Sequence, residues 1–246
     1  MNTVTHKIKS INFSVICCYY NELNILKKEF DKFDKFSSEL NFEHEFIFVD
    51  NNSTDGSKEF LKNEERKKNK NFFFIFNEKN IGKGGSIKNA LSLTNKKYAI
   101  IFDIDEYELL DLKKVYNIIK DEDHDFLVGS RILKNQKNFI YKKNYYGVKL
   151  ITAIINYLFN IKLSDSAGAT KMIKLSEYKK YTFKTNKFDF EFDVLCKFAK
   201  DNKKISEFYS KYNPRTYSEG KKLRAFRDGF TILITILRNF FGNNEK

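Results

Sequence analysis

Proline is almost missing from this chain: Pro214 is the only one among 246 residues. No Pro-rich or Gly/Ser-rich stretch divides the sequence, so nothing marks a linker before the last third. No segment recurs at a fixed period, which excludes a solenoid or a propeller. Cysteine is scarce as well. Cys17, Cys18 and Cys196 have neither metal-ligand spacing nor the even count of a disulfide framework. Cys17 and Cys18 lie in an apolar run and read as buried thiols in a reducing compartment. His6, His44 and His124 are scattered and form no constellation for catalysis. Long hydrophobic runs are absent too. The longest, Val148–Ile161 and Gly229–Phe241, are broken by Lys, Asn or Arg and fall short of the ~20 residues that span a bilayer. The amino-terminal MNTVTHKIKS lacks the apolar core of a secretion signal. These absences predict a cytoplasmic, non-integral protein whose length suits one well-buried domain.

What is present in excess is positive charge. Lys and Arg number 45 against 32 Asp and Glu, a formal net charge of +13. Such a surplus suits an anionic partner: nucleotide phosphates, an acidic membrane or nucleic acid. Nucleic acid is not favoured, because its binding needs a basic stripe interleaved with exposed aromatics. Here the aromatics fall mostly on apolar, core-like positions.

The first half alternates strand and helix signals. Phe13–Cys18, Phe46–Val49, Phe72–Phe76 and Tyr98–Phe102 are short apolar runs. Between the first two, Leu23, Leu26, Phe30, Phe33 and Phe36 recur at helical spacing. Ser57–Lys68 reads as a helix with a charged face, and the Gly-rich turn Gly82–Gly85 opens another helix through Leu93. Apolar strands separated by helices predict an α/β fold, with a mostly parallel sheet covered on both faces. Ligands of such sheets bind at the carboxyl ends of the strands. Those ends carry Tyr20-Asn21-Glu22, then Asp50, then Asp103-Ile104-Asp105. Residues i and i+2 of an extended chain point to one side. Asp103 and Asp105 can therefore converge on a hard cation, Mg2+ or Mn2+, able to stabilise a departing diphosphate.

Four segments, VICCYYNE from Val15, VDNNSTDGS from Val49, NIGKG from Asn80 and FDID from Phe102, occur in the order and spacing of family 2 glycosyltransferases, which the chain resembles. The match extends through Gly129-Ser130-Arg131, DSAGATK from Asp165, FEFD from Phe190 and YNPRTYSEGKK from Tyr212. The resemblance implies a GT-A (nucleotide-diphospho-sugar transferase) fold, and within it the sequence is similar to polyprenyl-phosphate sugar synthases and related bacterial transferases. It implies that Cys18, Tyr20, Glu22, Asp50 and Asn51 hold the nucleoside, with Glu22 near the ribose and Asp50 near the base. Lys83 would lie at the diphosphate, and Asp103 with Asp105 at the ribose and metal. Arg131, Arg215 and Lys221 would face phosphate groups of donor or acceptor. Asp165, Glu191 and Asp193 would flank the acceptor, one of them serving as general base if the acceptor is a hydroxyl. The implied partners are a nucleotide-diphospho-sugar donor and a lipid-linked or glycan acceptor, with inversion at the anomeric carbon. The sequence departs from the family at Cys18 (usually proline), at Asn51 and Asn52 (usually acid and glycine), at Tyr107 (glutamine in mannosyl relatives) and at Gly168, one position early. None of these removes the Asp103–Asp105 pair.

Gly147–Asn160 and Phe226–Phe241 mix apolar runs with basic residues, as interfacial helices do. Lys221, Lys222, Arg224, Arg227 and Arg238 surround the second segment, which suits an anionic headgroup layer. We accordingly expect a transferase domain over 1–222 and a basic amphipathic helix over 223–246, peripheral at the inner face of a membrane. The rival readings are a catalytically silent nucleotide-binding protein of the same fold, suggested by Asn51 and Tyr107, and a dinucleotide oxidoreductase. The second lacks a Gly-x-Gly-x-x-Gly after the first strand.

Overall fold

The computed structural model describes residues 11–103, 108–133, 139–216 and 225–242. Asp105, Tyr107, Lys221, Lys222 and Arg224 lie outside the described residues. The first half follows the apolar pattern closely: β1 (Asn12–Tyr19), α1 (Leu23–Glu39), β2 (Glu43–Asp50), α2 (Ser57–Glu65), β3 (Phe72–Phe76), α3 (Gly82–Leu93) and β4 (Tyr98–Ile101). The second half continues with α4 (Leu110–Asp121), β5 (Phe126–Ser130), α5 (Lys142–Phe159), β6 (Lys171–Lys174), α6 (Leu175–Tyr178), α7 (Phe190–Lys200), β7 (Ile205–Tyr209) and α8 (Ala225–Phe241).

The seven strands form one sheet in the order β3-β2-β1-β4-β6-β5-β7. β6 alone is antiparallel to its neighbours, β4 on one side and β5 on the other. The mostly parallel sheet read from the sequence is thus present, with one reversed strand inside it. Alternate residues of each strand enter different cores, as the period of two requires. Phe13, Val15, Phe46, Phe48, Tyr98 and Ile100 pack with α1, α2 and α4. Ile16, Ile47, Val49, Ala99 and Ile101 pack with α3, α5, α7 and α8. The first core is aromatic: the Phe33 ring meets Phe46 and Phe48 edge-on at 5.3 and 5.1 Å. Truncating so buried a ring costs about 3–5 kcal/mol.

α7 is the pivot of the second core, since every residue from Phe190 to Ala199 is buried. α8 docks on it through polar side chains. Thr235 donates to Asp189 at 3.1 Å, and Asn239 donates to Asp193 at 2.9 Å. Lys200 closes the carboxyl end of α8 by donating to the carbonyls of Asn239 and Phe240. The inner side of α8 thus holds Asp228, Thr235 and Asn239 beside Ile232 and Ile236. Its outer side shows Phe230, Ile234, Leu237 and Phe241, and neighbouring α5 shows Tyr146, Leu150 and Tyr157. Core cover and apolar outer surface therefore coexist on the same helices. No helix among the described residues is long and apolar enough to cross a membrane.

Candidate active site

A cleft of about 640 Å3 opens at the carboxyl ends of β1, β2 and β4 and runs out between the amino-terminal halves of α5 and α8. Cys18, Tyr20, Glu22, Asn51, Lys83, Asp103, Arg131, Glu191 and Arg215 all line it. Nine of the sequence-predicted residues therefore converge from far-separated segments.

The near rim is built by two interlocked turns. Asn21 adopts a left-handed backbone (φ 52°), which asparagine tolerates. Its side-chain oxygen accepts from the Thr54 amide at 2.8 Å, and its own amide donates to Ser53 Oγ. The amides of Glu22 and Leu23 donate to Ser57 Oγ and Asp55 Oδ2. Asp50 lies wholly buried beneath this rim. One of its oxygens accepts from the Ser53 amide at 3.1 Å, while Oδ1 is buried without a hydrogen-bond partner among the described residues. A carboxyl oxygen left without a hydrogen-bond partner in a protein interior is costly unless a ligand completes it.

Asn51 accounts for one departure from the family. Its carbonyl oxygen accepts from Asn77 Nδ2 and the Ile81 amide, and its own Nδ2 donates to Asn80. A carboxylate could not make the last of these bonds. Asn51 thereby fixes the turn that leads into α3. Gly82 there has φ 80°, and a Cβ at Gly84 would come within 2.4 Å of Phe190 Cβ. The glycines let the start of α3 press onto the start of α7.

That contact sets the floor of the cleft. Lys83 reaches Asp103 Oδ2 at 2.7 Å and Glu191 Oε1 at 2.9 Å. Glu191 also takes the ammonium of Lys171, a residue 2% exposed that sequence reasoning left without a role. Burial alone would raise the Glu191 carboxyl, but Lys171 and Lys83 outweigh it and hold it at about 2. Burial lowers Lys171, whereas Asp103 and Glu191 overcome burial at Lys83 and hold it well above the ordinary lysine range. Cys18 is pushed up by burial and stays a neutral thiol. Asp103 offers hard oxygen to the cleft, chemistry that suits Mg2+ or Mn2+. No group of three or more His, Cys, Asp or Glu side chains that could hold a metal occurs among the described residues.

Three expectations change here. Asp165 does not line the cleft: it is fully buried, binding the Arg131 guanidinium at 2.7 and 2.9 Å and the Arg131 amide at 3.1 Å. Arg131 in turn stacks over Phe139 and Tyr212 at 5.0 and 5.2 Å, so its planar fork braces the far wall. Asp193 is also buried and faces α8, accepting from Thr185, Asn239 and Arg238. Glu191 reaches the cleft, yet a carboxylate held near 2 by two ammonium groups makes a poor general base at neutral pH. At the outer edge Arg215 donates to Glu22 Oε2 at 3.0 Å, which joins the last loop to the first turn.

Residues 14–182 match the family model of glycosyl transferase family 2, well over half of the chain. The chain belongs to that family. Among curated relatives of this glycosyltransferase is a dolichyl-phosphate beta-glucosyltransferase of Dictyostelium discoideum. It is 25% identical over 251 residues, covering 94% of this chain and 74% of the relative. An uncharacterized glycosyltransferase of Methanocaldococcus jannaschii is 26% identical over 235 residues, covering 85% of this chain and 80% of its own. The fold is that of GT-A glycosyltransferases. Glucosyl-3-phosphoglycerate synthase of Mycobacterium tuberculosis, solved with Mn2+, UDP and phosphoglyceric acid, superposes with a TM-score of 0.69 at 14% identity. That match covers 95% of this chain and 80% of the other.

Proposed function

We propose that this family 2 glycosyltransferase moves a sugar from a nucleotide-diphosphate donor onto a lipid-linked phosphate at a membrane surface, with inversion and with a divalent cation. The observation that carries the acceptor is the state of the three candidate bases. Asp165 and Asp193 are buried against other elements, and Glu191 is neutralised by Lys83 and Lys171. An acceptor hydroxyl needs a base, whereas a phosphate is already an anionic nucleophile. The apolar outer faces of α5 and α8, beside the cleft mouth, favour an acceptor presented from lipid over one free in water. The relative named as a dolichyl-phosphate glucosyltransferase supports the same choice.

In this reading Asp50 Oδ1 takes a donor N–H from the nucleobase, the bond it otherwise lacks. Tyr20 and Cys18 wall the nucleoside, Lys83 faces the diphosphate, and Asp103 with Asp105 would hold Mg2+ or Mn2+. A bound cation there supplies charge neutralisation for the departing diphosphate. Arg131 shapes the acceptor wall, and Arg215 attracts phosphate at the mouth. In this reading α8 serves as the membrane-facing helix.

The test pairs UDP-, GDP-, dTDP- and CDP-sugars with polyprenyl phosphate in anionic vesicles, with Mg2+ or Mn2+, beside a Phe230→Glu, Ile234→Glu double variant. Cation-dependent formation of a sugar-linked lipid with one donor is expected, and the double variant should release the protein from the vesicles. Transfer to soluble acceptors alone, by protein that ignores vesicles, would sink the lipid reading.

A further inference from the structure

Lys83 is gripped harder than charge attraction to a donor would demand. Its ammonium bridges Asp103 and Glu191 at 2.7 and 2.9 Å, and its side chain is only 16% exposed. Glu191 passes its other oxygen to Lys171, which also donates to the carbonyl of Gly168. Asp103, Lys83, Glu191 and Lys171 thus form a row of alternating charge that sums to zero. Its members come from the end of β4, the start of α3, the start of α7 and the start of β6. Cys18 lines the same cleft, its thiol kept neutral by burial.

This row has a consequence for Asp103. The carboxylate oxygen that a divalent cation would seek already has a cation on it, and that cation belongs to the chain. A metal ion approaching Asp103 meets the like charge of Lys83 at short range, where repulsion is strong. A diphosphate alters the balance. It brings several anionic oxygens into the cleft, and the flexible four-carbon stem of lysine can turn its ammonium toward them. Glu191 keeps Lys171 after such a move, so no buried carboxylate is stranded.

We propose that Lys83 is an exchangeable counter-ion of Asp103, suppressing cation binding until a donor diphosphate draws its ammonium away. The inference rests on the donor reading above and adds an order of assembly. The site admits metal with nucleotide, and poorly on its own. By linkage, each of the two strengthens binding of the other.

The experiment measures Mn2+ binding to the full chain without nucleotide, by the electron paramagnetic resonance signal of free Mn2+, and then binding of UDP, GDP, dTDP and CDP, in chelator and with Mn2+. Lys83→Met keeps the length of the stem and removes the charge; Lys83→Arg keeps the charge. Lys83→Met should bind Mn2+ alone on the order of tenfold more tightly than wild type, and bind the nucleotide more weakly by a similar factor. Lys83→Arg should match wild type toward Mn2+. Opposite signs for metal and nucleotide in one variant are the signature of exchange. Nucleotide binding without any tightening of Mn2+ in Lys83→Met overturns the exchange alone. Failure of every form to bind any of UDP, GDP, dTDP or CDP, with or without Mn2+, overturns the donor reading and the exchange with it. Should Lys83→Met not fold, wild type still decides: Mn2+ affinity must rise when the bound nucleotide is added, and no rise refutes the coupling.

Discussion

Replacing Glu191 by glutamine keeps the shape of the side chain and removes its charge. In the folded protein that charge sits between Lys171 and Lys83, and the residue is 5% exposed. The folded carboxyl ionises near 2 instead of the ordinary 4.5, which corresponds to about 3 kcal/mol. Breaking a buried pair by removing one partner costs about 3–5 kcal/mol, so two routes give the same scale. For a chain of this size, about 2–4 °C of melting temperature accompanies each kcal/mol, so Glu191→Gln should melt roughly 6–12 °C below wild type at pH 7. The sign with pH follows from the depressed value. The stabilisation is complete above 4.5 and is lost as pH falls toward about 2, so the gap between the two proteins should narrow below 4.5. Thermal unfolding followed by circular dichroism at pH 7, 5 and 4 measures this. If Glu191 instead serves as a general base, the variant keeps its melting temperature and loses only turnover. A difference below about 2 °C at pH 7 would refute the ion-row argument.

Two further changes separate binding from packing. Asp50→Asn can keep the bond to the Ser53 amide while changing Oδ1, the oxygen without a partner. It should leave the melting temperature unchanged or raised, and weaken nucleotide binding about tenfold or more by calorimetry; unchanged affinity would remove Asp50 from base recognition. Gly84→Ala sets a methyl 2.4 Å from Phe190 Cβ and 2.8 Å from the Lys187 carbonyl, whereas a Cβ at Gly147 meets nothing within 4 Å. Urea unfolding should show a loss of about 1–3 kcal/mol for the first and no loss, or a gain of up to about 1 kcal/mol, for Gly147→Ala inside α5; equal effects would mean that α3 does not press on α7.

The parts of this fold that sequence reasoning reaches are those held by local pattern. The runs at Phe13, Phe46, Phe72 and Tyr98 became β1 to β4, and the Leu26–Phe30–Phe33–Phe36 stripe became the buried side of α1. β6 escaped notice because its four residues begin and end with lysine, and its reversed direction is set by β4 and β5, not by its own residues. In the site, the residue types at the strand ends were legible, but their partners were not. Glu191 finds Lys171 20 positions away, Asp165 finds Arg131 34 away, and Glu22 finds Arg215 193 away. A carboxylate read alone looks like a base; the same carboxylate beside two lysines is a strut. Lys171 carried one available signal, a charged residue set directly before the apolar pair Met172-Ile173 and ending the DSAGATK segment. α8 has an apolar outer side and a polar side, and the polar side faces Asp189 and Asp193.

The pairing of Arg215 with Glu22 also governs when the cleft can exist during synthesis. It joins positions 193 residues apart, and bringing such distant points together carries a closure entropy that local helices never meet. A growing chain can form β1 to β4 from its first hundred or so residues, yet the rim stays open until the last loop has left the ribosome. Folding rates fall as contacts become more distant in sequence. The outer edge of the cleft is therefore among the last parts to set, and a chain stalled before α7 would carry Lys171 without its acid and Glu22 without its arginine. Such a chain has β1 to β6 but neither β7 nor a working cleft.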